Sequence, residues 1–361
     1  MPEWKERKQM DKLNIALIGA GSISGSHGQA YERNPHAVLA AVCDLNEERA
    51  RQAAKRYGCR KVTTDYREIM ADSDIDAVSV CTWNNAHAEI SIAALQAGKH
   101  VLVEKPLCMS VEEALRVREA ARASDRVLQV GFVRRYDPNA QMLKRFADAG
   151  EFGDIYYAKA SSIRRLGNPG GWFSDIARSG GGPLIDIGVH VIDLSWYMMG
   201  KPKPVSVSAN VYRKLGNRSN VRGLTFYRAA DYNADLNTVE DMANALIRFE
   251  NGASLMVDVS FTLHAKQDRT SVSLYGEKGG FELDPELQII TEKHDTILNI
   301  SPQTDHKGFH FEAAFQNEID CFISCILTGQ EPVSPVEDGV EVMKMLCGIY
   351  ESAAQGCEIR L

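Results

Sequence analysis

Two short stretches carry the side chains that could move a proton and steady a negatively charged oxygen: Glu104-Lys105-Pro106, and Asp186-Ile-Gly188-Val-His190 after Gly180-Gly-Gly-Pro183. Lys105 offers an ammonium whose direction is restricted by the following proline ring, and Glu104 beside it can hold that ammonium or tune its pKa. A lysine so placed can grip a hydroxyl and help to deprotonate it. Asp186 and His190 are spaced to fall on one face of a helix, so the two can act as a unit. The imidazole titrates near neutral pH and suits proton transfer, a nearby carboxylate can orient its ring, and Asp186 can bind and place a hydroxyl. The glycines permit close backbone approach to a cofactor or sugar, and Pro183 suits a first helical turn.

The first half supplies a reason for these groups to meet a cofactor. Leu13 to Ile18 reads as a buried strand, followed at once by Gly19-Ala-Gly21-Ser-Ile-Ser24-Gly25 and a helical stretch through Tyr31. Strand, glycine turn and helix make a dinucleotide site: Gly19 turns tightly, Gly21 lets backbone approach a pyrophosphate, and the helix start at Ser22 and Ile23 offers free N–H groups. The third glycine position is Ser24, a small residue that still permits close packing. A second strand, Ala37 to Cys43, ends at Asp44, about 20 residues beyond the turn, where a carboxylate accepts ribose hydroxyls and repels a 2′-phosphate. NAD is therefore expected over NADP, although Arg49 can offset the repulsion of a 2′-phosphate; Leu45 and Arg49 are counted with the cofactor contacts, and the plainer role for Asp44 is the N-cap of the helix Glu47 to Tyr57.

Two more strands, Ala77 to Cys81 and His100 to Val103, are separated by a helix from Ala86 to Ala97, and this alternation predicts a parallel, doubly wound sheet. Its open edge receives Gly19, Lys105 and Thr82-Trp83-Asn84, which are expected to line the ribose and nicotinamide half of the cofactor. His87 opens the next helix and is counted with the cofactor wall, capping or packing being its plainer role. Glu104 is counted there too.

After Gly131 the alternation stops, so residues 11–131 are read as the dinucleotide-binding Rossmann domain and 132–361 as an α+β domain for substrate binding and oligomerisation. Stretches at Ile155 to Ser161, Pro204 to Tyr212, Asn244 to Glu250, Ser254 to Phe261 and Thr270 to Tyr275 alternate as strands of an open, mostly antiparallel sheet do. Helices at Phe309 to Thr328 and Val336 to Ala354 are expected to cover one of its faces. Lys214 to Asp241 reads as a long arm over the site or over an oligomer partner. Arg134, Tyr136, Arg164 and Trp172 are the expected substrate contacts, joined by Lys105, Asp186 and His190. Guanidinium groups grip hydroxyls and an indole face suits a sugar ring, here on a glycine-rich loop expected to be flexible.

Composition excludes other classes. At 361 residues, 44% hydrophobic and 25% charged, the chain can bury two cores, and a net charge of −7 without an arginine-rich block argues against nucleic acid. No apolar run is long enough for a membrane, and Met1 to Lys8 lacks the core of a secretory signal, so a cytoplasmic protein is expected. The eight cysteines show no zinc-type spacing, so no metal is expected and the thiols read as reduced core fillers.

Taken in order, Gly19-Ala-Gly21, Asn85-Ala-His87-Ala-Glu89, Ala97-Gly98-Lys99-His100-Val-Leu-Val-Glu104-Lys105-Pro106 and Gly180 through Asp193 are similar to the blocks of the glucose-fructose oxidoreductase, inositol dehydrogenase and rhizopine-catabolism family (Gfo/Idh/MocA). The resemblance spans residues 11–361. It implies an N-terminal Rossmann domain, a C-terminal open sheet that shapes the substrate cleft and the oligomer contact, a cis Lys105-Pro106 bond, and catalytic roles for Lys105, Asp186 and His190. The implied reaction is NAD-dependent transfer of a hydride between nicotinamide and a secondary hydroxyl or ketone of a sugar, glycoside or cyclic polyol. Residues around Arg134 resemble the inositol 2-dehydrogenase branch, and the Arg164 to Asp175 loop resembles sugar and glycoside oxidoreductases, which points to C3 of a glucoside. Some relatives keep NAD(H) bound and recycle it. The competing readings are a non-catalytic NAD- and sugar-binding sensor, against which the intact Lys105, Asp186 and His190 speak, and an enzyme reducing an imine or unsaturated bond.

Overall fold

The computed structural model describes residues 12–218, 220–229, 232–233 and 235–361. The Met1 to Lys8 stretch lies outside the described residues, as does Asp11.

Six strands, β1 (Leu13–Ile18), β2 (Ala37–Cys43), β3 (Lys61–Thr63), β4 (Ala77–Val80), β5 (His100–Glu104) and β6 (Leu128–Gly131), form a parallel sheet in the order β3-β2-β1-β4-β5-β6. Helices α1 (Ser22–Arg33), α2 (Glu47–Tyr57), α3 (Tyr66–Met70), α4 (Asn84–Gln96) and α5 (Val111–Ser124) connect them. Strand order reverses between β1 and β4, which is where such sheets open a ligand crevice. Register brings the ends together: Ile18 pairs with Cys43 on one side and Val80 on the other, and Val80 pairs with Val103. Gly19, Asp44, Cys81 and the Glu104-Lys105 step therefore leave the sheet at one edge.

The chain continues through a 3-10 turn at Val133–Tyr136, α6 (Pro138–Asp148), β7 (Ile155–Ile163), α7 (Ile176–Ser179), a π-helical turn at Leu184–Gly188 and α8 (Val189–Met198). Then come β8 (Pro204–Tyr212), β9 (Met242–Phe249), β10 (Ser254–Ser260), β11 (Arg269–Gly276), β12 (Gly279–Leu283), β13 (Gln288–Lys293) and β14 (Thr296–Ile300), followed by α9 (Phe311–Thr328), α10 (Val336–Gln355) and β15 (Ile359–Arg360). The nine strands order as β14-β13-β12-β11-β7-β10-β9-β8-β15, antiparallel throughout except for the parallel β7–β10 pair.

The expectation that α9 covers the second sheet is corrected. Ile319, Phe322 and Ile323 of α9 pack among Leu13, Ile15 and Leu17 of β1, completing the core of the first sheet. That face of β1 is apolar and α1 alone does not fill it, so the C-terminal helix returns to bury it. α10 lies between the halves, against β8 on one side and α5 and β6 on the other. The Asp44 N-cap reading is also corrected: Asn46 caps α2 by accepting from the Arg49 N–H.

A buried charge cluster ties the 3-10 turn to both later helices. The Arg135 guanidinium, fully buried, donates to both carboxylate oxygens of Asp193 and to Asp338, which also accepts from Lys201. Removing the cation would strand Asp193 in the core and leave Asp338 to Lys201 alone. Arg135→Met is expected to lower unfolding free energy by about 3–5 kcal/mol in urea denaturation. A loss of about 1 kcal/mol or less, the size of a surface pair, would show the cluster to be dispensable.

Candidate active site

The glycine turn is shaped by steric necessity at one position and by open space at another. Gly19 sits at φ +92°, and a Cβ there would lie 2.4 Å from the Cys81 carbonyl oxygen. Gly21 is different, because a Cβ built on it meets nothing within 4 Å, and no side chain caps the start of α1. Unpaired N–H groups facing open space at a helix start fit a pyrophosphate. Close packing behind the turn is provided by Gly28, whose face is filled by the Tyr57 ring, while the Ser24 hydroxyl donates back to the Gly21 carbonyl. Asp44 braces the turn, its two oxygens accepting from the Ala20 and Asn46 N–H groups at 2.7 and 2.8 Å. Each oxygen retains a lone pair for a ribose hydroxyl. Arg49 lies 3.8 Å away and Leu45 is exposed, so both stand at the mouth. Ser22 is exposed beside them, and Ile23 packs toward Val133, Ala314 and Phe315.

At the exits of β4 and β5 the wall and the reactive group separate. Three residues counted with the cofactor contacts are buried and make side-chain hydrogen bonds inside the protein. Asn84 donates to the Ser179 carbonyl, His87 faces the Pro106 and Thr82 carbonyls at 2.7 and 3.2 Å, and Glu104 engages His27 Nε2 at 2.9 Å and the Lys105 N–H at 3.1 Å. Burial pushes the Glu104 carboxyl up, but the hydrogen bond and charge of His27 outweigh this and hold it below the usual carboxylate range. Burial pushes His87 down. Glu104 therefore anchors the strand end and leaves the ammonium of Lys105 to another partner. Thr82 and Trp83 remain partly exposed, the indole lying under the Arg178 guanidinium at 4.3 Å.

That partner comes from the other half. Lys105 Nζ donates to the Asp186 backbone oxygen at 3.0 Å and to its Oδ1 at 3.1 Å, and the intervening Lys105-Pro106 bond is cis. Two of three ammonium hydrogens are used. Asp186 lies in the π-helical turn, a form that recurs at functional sites, and the wider turn breaks the regular four-residue spacing to His190. Asp186 consequently pairs with Lys105, and the expected carboxylate hold on the imidazole does not form. His190 is partly exposed, yet its Nδ1 is buried and has no hydrogen-bond partner. Burial, then the charges of Lys105, Arg134 and Arg164, push its pKa well below the usual imidazole range. The same ring thus feels the amine from the first half.

The triple glycine serves packing rather than ligand approach. A Cβ on Gly181 would lie 2.0 Å from the Tyr350 hydroxyl, and one on Gly182 2.6 Å from the Glu240 carbonyl. Glu240 is fully buried and accepts from the Gly182 and Leu184 N–H groups and from Tyr350. It caps the turn that carries Asp186. Nothing in Val239-Glu240-Asp241 marks it in the sequence, because its partners are brought from remote segments.

Among the expected substrate contacts, Arg134 is paired with Asp284 at 3.1 Å and Arg164 donates to the Gly167 carbonyl, with both charges reaching His190. Tyr136 is buried and its hydroxyl meets Ser334 at 2.9 Å. Trp172 stacks on Phe173 at 3.9 Å, on a loop that is anchored rather than free, because buried Asn168 accepts from Ser174 and Gly170. The arm begins at Arg213 and returns at Asp241, whose carboxylate accepts from Lys214, Leu215 and Gly216 N–H groups. Of its described residues, Tyr227 reaches Ser22 in the first half, the two hydroxyls 3.3 Å apart.

A family model described as oxidoreductase family, NAD-binding Rossmann fold, matches residues 13–132, and the GFO/IDH/MocA C-terminal domain matches residues 140–282. D-Glucoside 3-dehydrogenase of Escherichia coli (strain K12) is 32% identical over 97% of each chain. The scyllo-inositol 2-dehydrogenase (NAD(+)) of Bacillus subtilis (strain 168) is 30% identical over 97% of this chain and 96% of that one. A solved levoglucosan dehydrogenase in complex with NADH and levoglucosan superposes with a TM-score of 0.84 and 26% identity, over 97% of this chain and 99% of that chain.

The electrostatics make a direct prediction. NMR titration should find the His190 ring neutral at pH 7 with its midpoint below the ordinary 6.5, and Lys105→Met should raise that midpoint by removing a neighbouring cation. A midpoint at or above 6.5 in the unaltered protein would contradict the arrangement.

Proposed function

The chain belongs to the Gfo/Idh/MocA oxidoreductases, with their NAD-binding Rossmann fold, and on that basis we propose that it oxidises a secondary hydroxyl of a glucoside at C3 with NAD, or reduces the corresponding ketone. The observation that carries the reading is the Lys105–Asp186 contact, which brings an amine from the Rossmann half beside a neutral, unpartnered imidazole from the other half. The 32% identity to D-glucoside 3-dehydrogenase over 97% of each chain supports a glucoside.

A dinucleotide held by its pyrophosphate on the Gly19–Ser22 turn would supply the hydride acceptor through its nicotinamide. The third hydrogen of the Lys105 ammonium is directed at the substrate oxygen and stabilises the negative charge that develops there. Asp186 compensates the ammonium and fixes its direction. His190, kept neutral by burial and three cations, accepts the hydroxyl proton as the carbon–hydrogen bond breaks. Arg164, Arg134 and Trp172 flank the sugar. In the reverse direction each proton retraces its path.

Two coarser features complete the proposal. All eight cysteines are unpaired, even Cys321 and Cys325 with sulfurs 3.9 Å apart, which suits a reducing, cytoplasmic compartment; no described helix is long and apolar enough to cross a membrane. The second sheet leaves one face bearing Met256 paired with Lys159, and Tyr157 stacked on Tyr275, a surface suited to another copy of the chain.

The test is a panel of alkyl glucosides, myo-inositol and scyllo-inositol, followed by NADH absorbance in multiple and single turnovers. Glucoside-dependent NADH is expected, with Lys105→Met and His190→Ala each slowing the single turnover by roughly 10²–10⁴-fold. Inositol-dependent NADH would move the substrate to the cyclic polyols. Binding without turnover would identify a sensor, and wild-type rates in both variants would overturn the catalytic assignment.

A further inference from the structure

One polar contact on the arm is unexplained by packing. Tyr227 is 54% exposed, yet its hydroxyl lies 3.3 Å from Ser22 Oγ, across the cleft from its own half of the molecule. An exposed ring gains little from burial, and fixing it costs side-chain freedom, so folding alone gives no reason for this placement. Its support is nonetheless built. The ring meets Phe173 edge-on at 6.5 Å, Phe173 stacks on Trp172, and the Ala229 N–H donates to the Pro169 carbonyl at 2.8 Å. The Tyr232 ring occupies the space a Cβ on Gly170 would need. The ribbon carrying Tyr227 is thus fastened to the Asn168–Asp175 loop, which Asn168 fixes from inside.

The other side of the contact faces the opening at Gly21, where the first N–H groups of α1 have no side-chain cap. Ser22 and Tyr227 place two hydroxyls at the rim of that opening, and each can donate to an anion. Building on the NAD reading, we propose that Tyr227 is a cofactor-binding residue supplied by the second half, its hydroxyl donating to the dinucleotide pyrophosphate beside Ser22. Cofactor departure then requires this hydroxyl to let go, so the contact acts chiefly on residence time. The side chain that grips the phosphates and the loop that presents Trp172 belong to one fastened unit.

NADH and ADP-ribose, which share the pyrophosphate, serve as probes on the full chain with Tyr227→Phe and Tyr227→Ala, each checked by circular dichroism. Tyr227→Phe keeps the ring on Phe173 and removes only the hydroxyl. It is expected to weaken both probes by a similar factor, about 10-fold, with most of the change in the dissociation rate measured by stopped-flow displacement. Wild-type affinity and dissociation rate for both probes in folded Tyr227→Phe would overturn the proposal while leaving the NAD reading intact. An effect on NADH but not on ADP-ribose would also overturn it, because the hydroxyl would then act at the nicotinamide. Failure of the unaltered protein to bind either probe would instead remove the NAD reading on which the proposal rests.

Discussion

The ion pair between Lys105 and Asp186 is the constraint around which the molecule is arranged. Both side chains are only 16% exposed, so each gives up much of its hydration, and the pair forms one contact between two separately built sheets. A partly buried pair of this kind contributes little net stability, because desolvation offsets most of the attraction. Its value is positional: it fixes where a cation points at the mouth of the crevice.

Much of the surrounding structure keeps those two groups in place. On the Rossmann side, Glu104 is held by His27 and His87 engages the carbonyls of Thr82 and Pro106, so the strand end bearing Lys105 is fixed from beneath. On the other side, Glu240 and Tyr350 hold the turn from which Asp186 projects. Behind both, α9 joins C-terminal residues to the first half, and the Arg135 cluster ties the start of the second half to α8 and α10. The positions of the two side chains are thereby set within the protein itself, and preorganisation of this kind is where enzymes gain much of their rate.

Local patterns made the first half legible in the sequence. Buried strands alternate with helices, and Gly19, Asp44 and Lys105 each follow a strand directly, so the shared edge follows from topology alone. Asp186 and His190 were visible as residue types, but their relation was not, because a π-helical turn leaves no mark in a four-residue spacing. Side-chain commitments were equally hidden. Asn84, His87, Glu104 and Tyr136 look like ligand contacts because they are polar and near the motifs, whereas burial and committed hydrogen bonds are tertiary facts. Glu240, Arg135 and Tyr227 went unremarked for the same reason: their partners lie 56 to 205 residues away along the chain. Strands β12 to β14 were missed because short, polar hairpins at a sheet edge alternate weakly.

A double-mutant cycle on single-turnover hydride transfer, using Lys105→Met, Asp186→Asn and the combination, tests the central claim most directly. If the two groups act as one device, the double variant should be about as slow as the slower single variant, a strong departure from additivity. Rate losses that multiply independently would mean that the contact between the halves does not organise the chemistry.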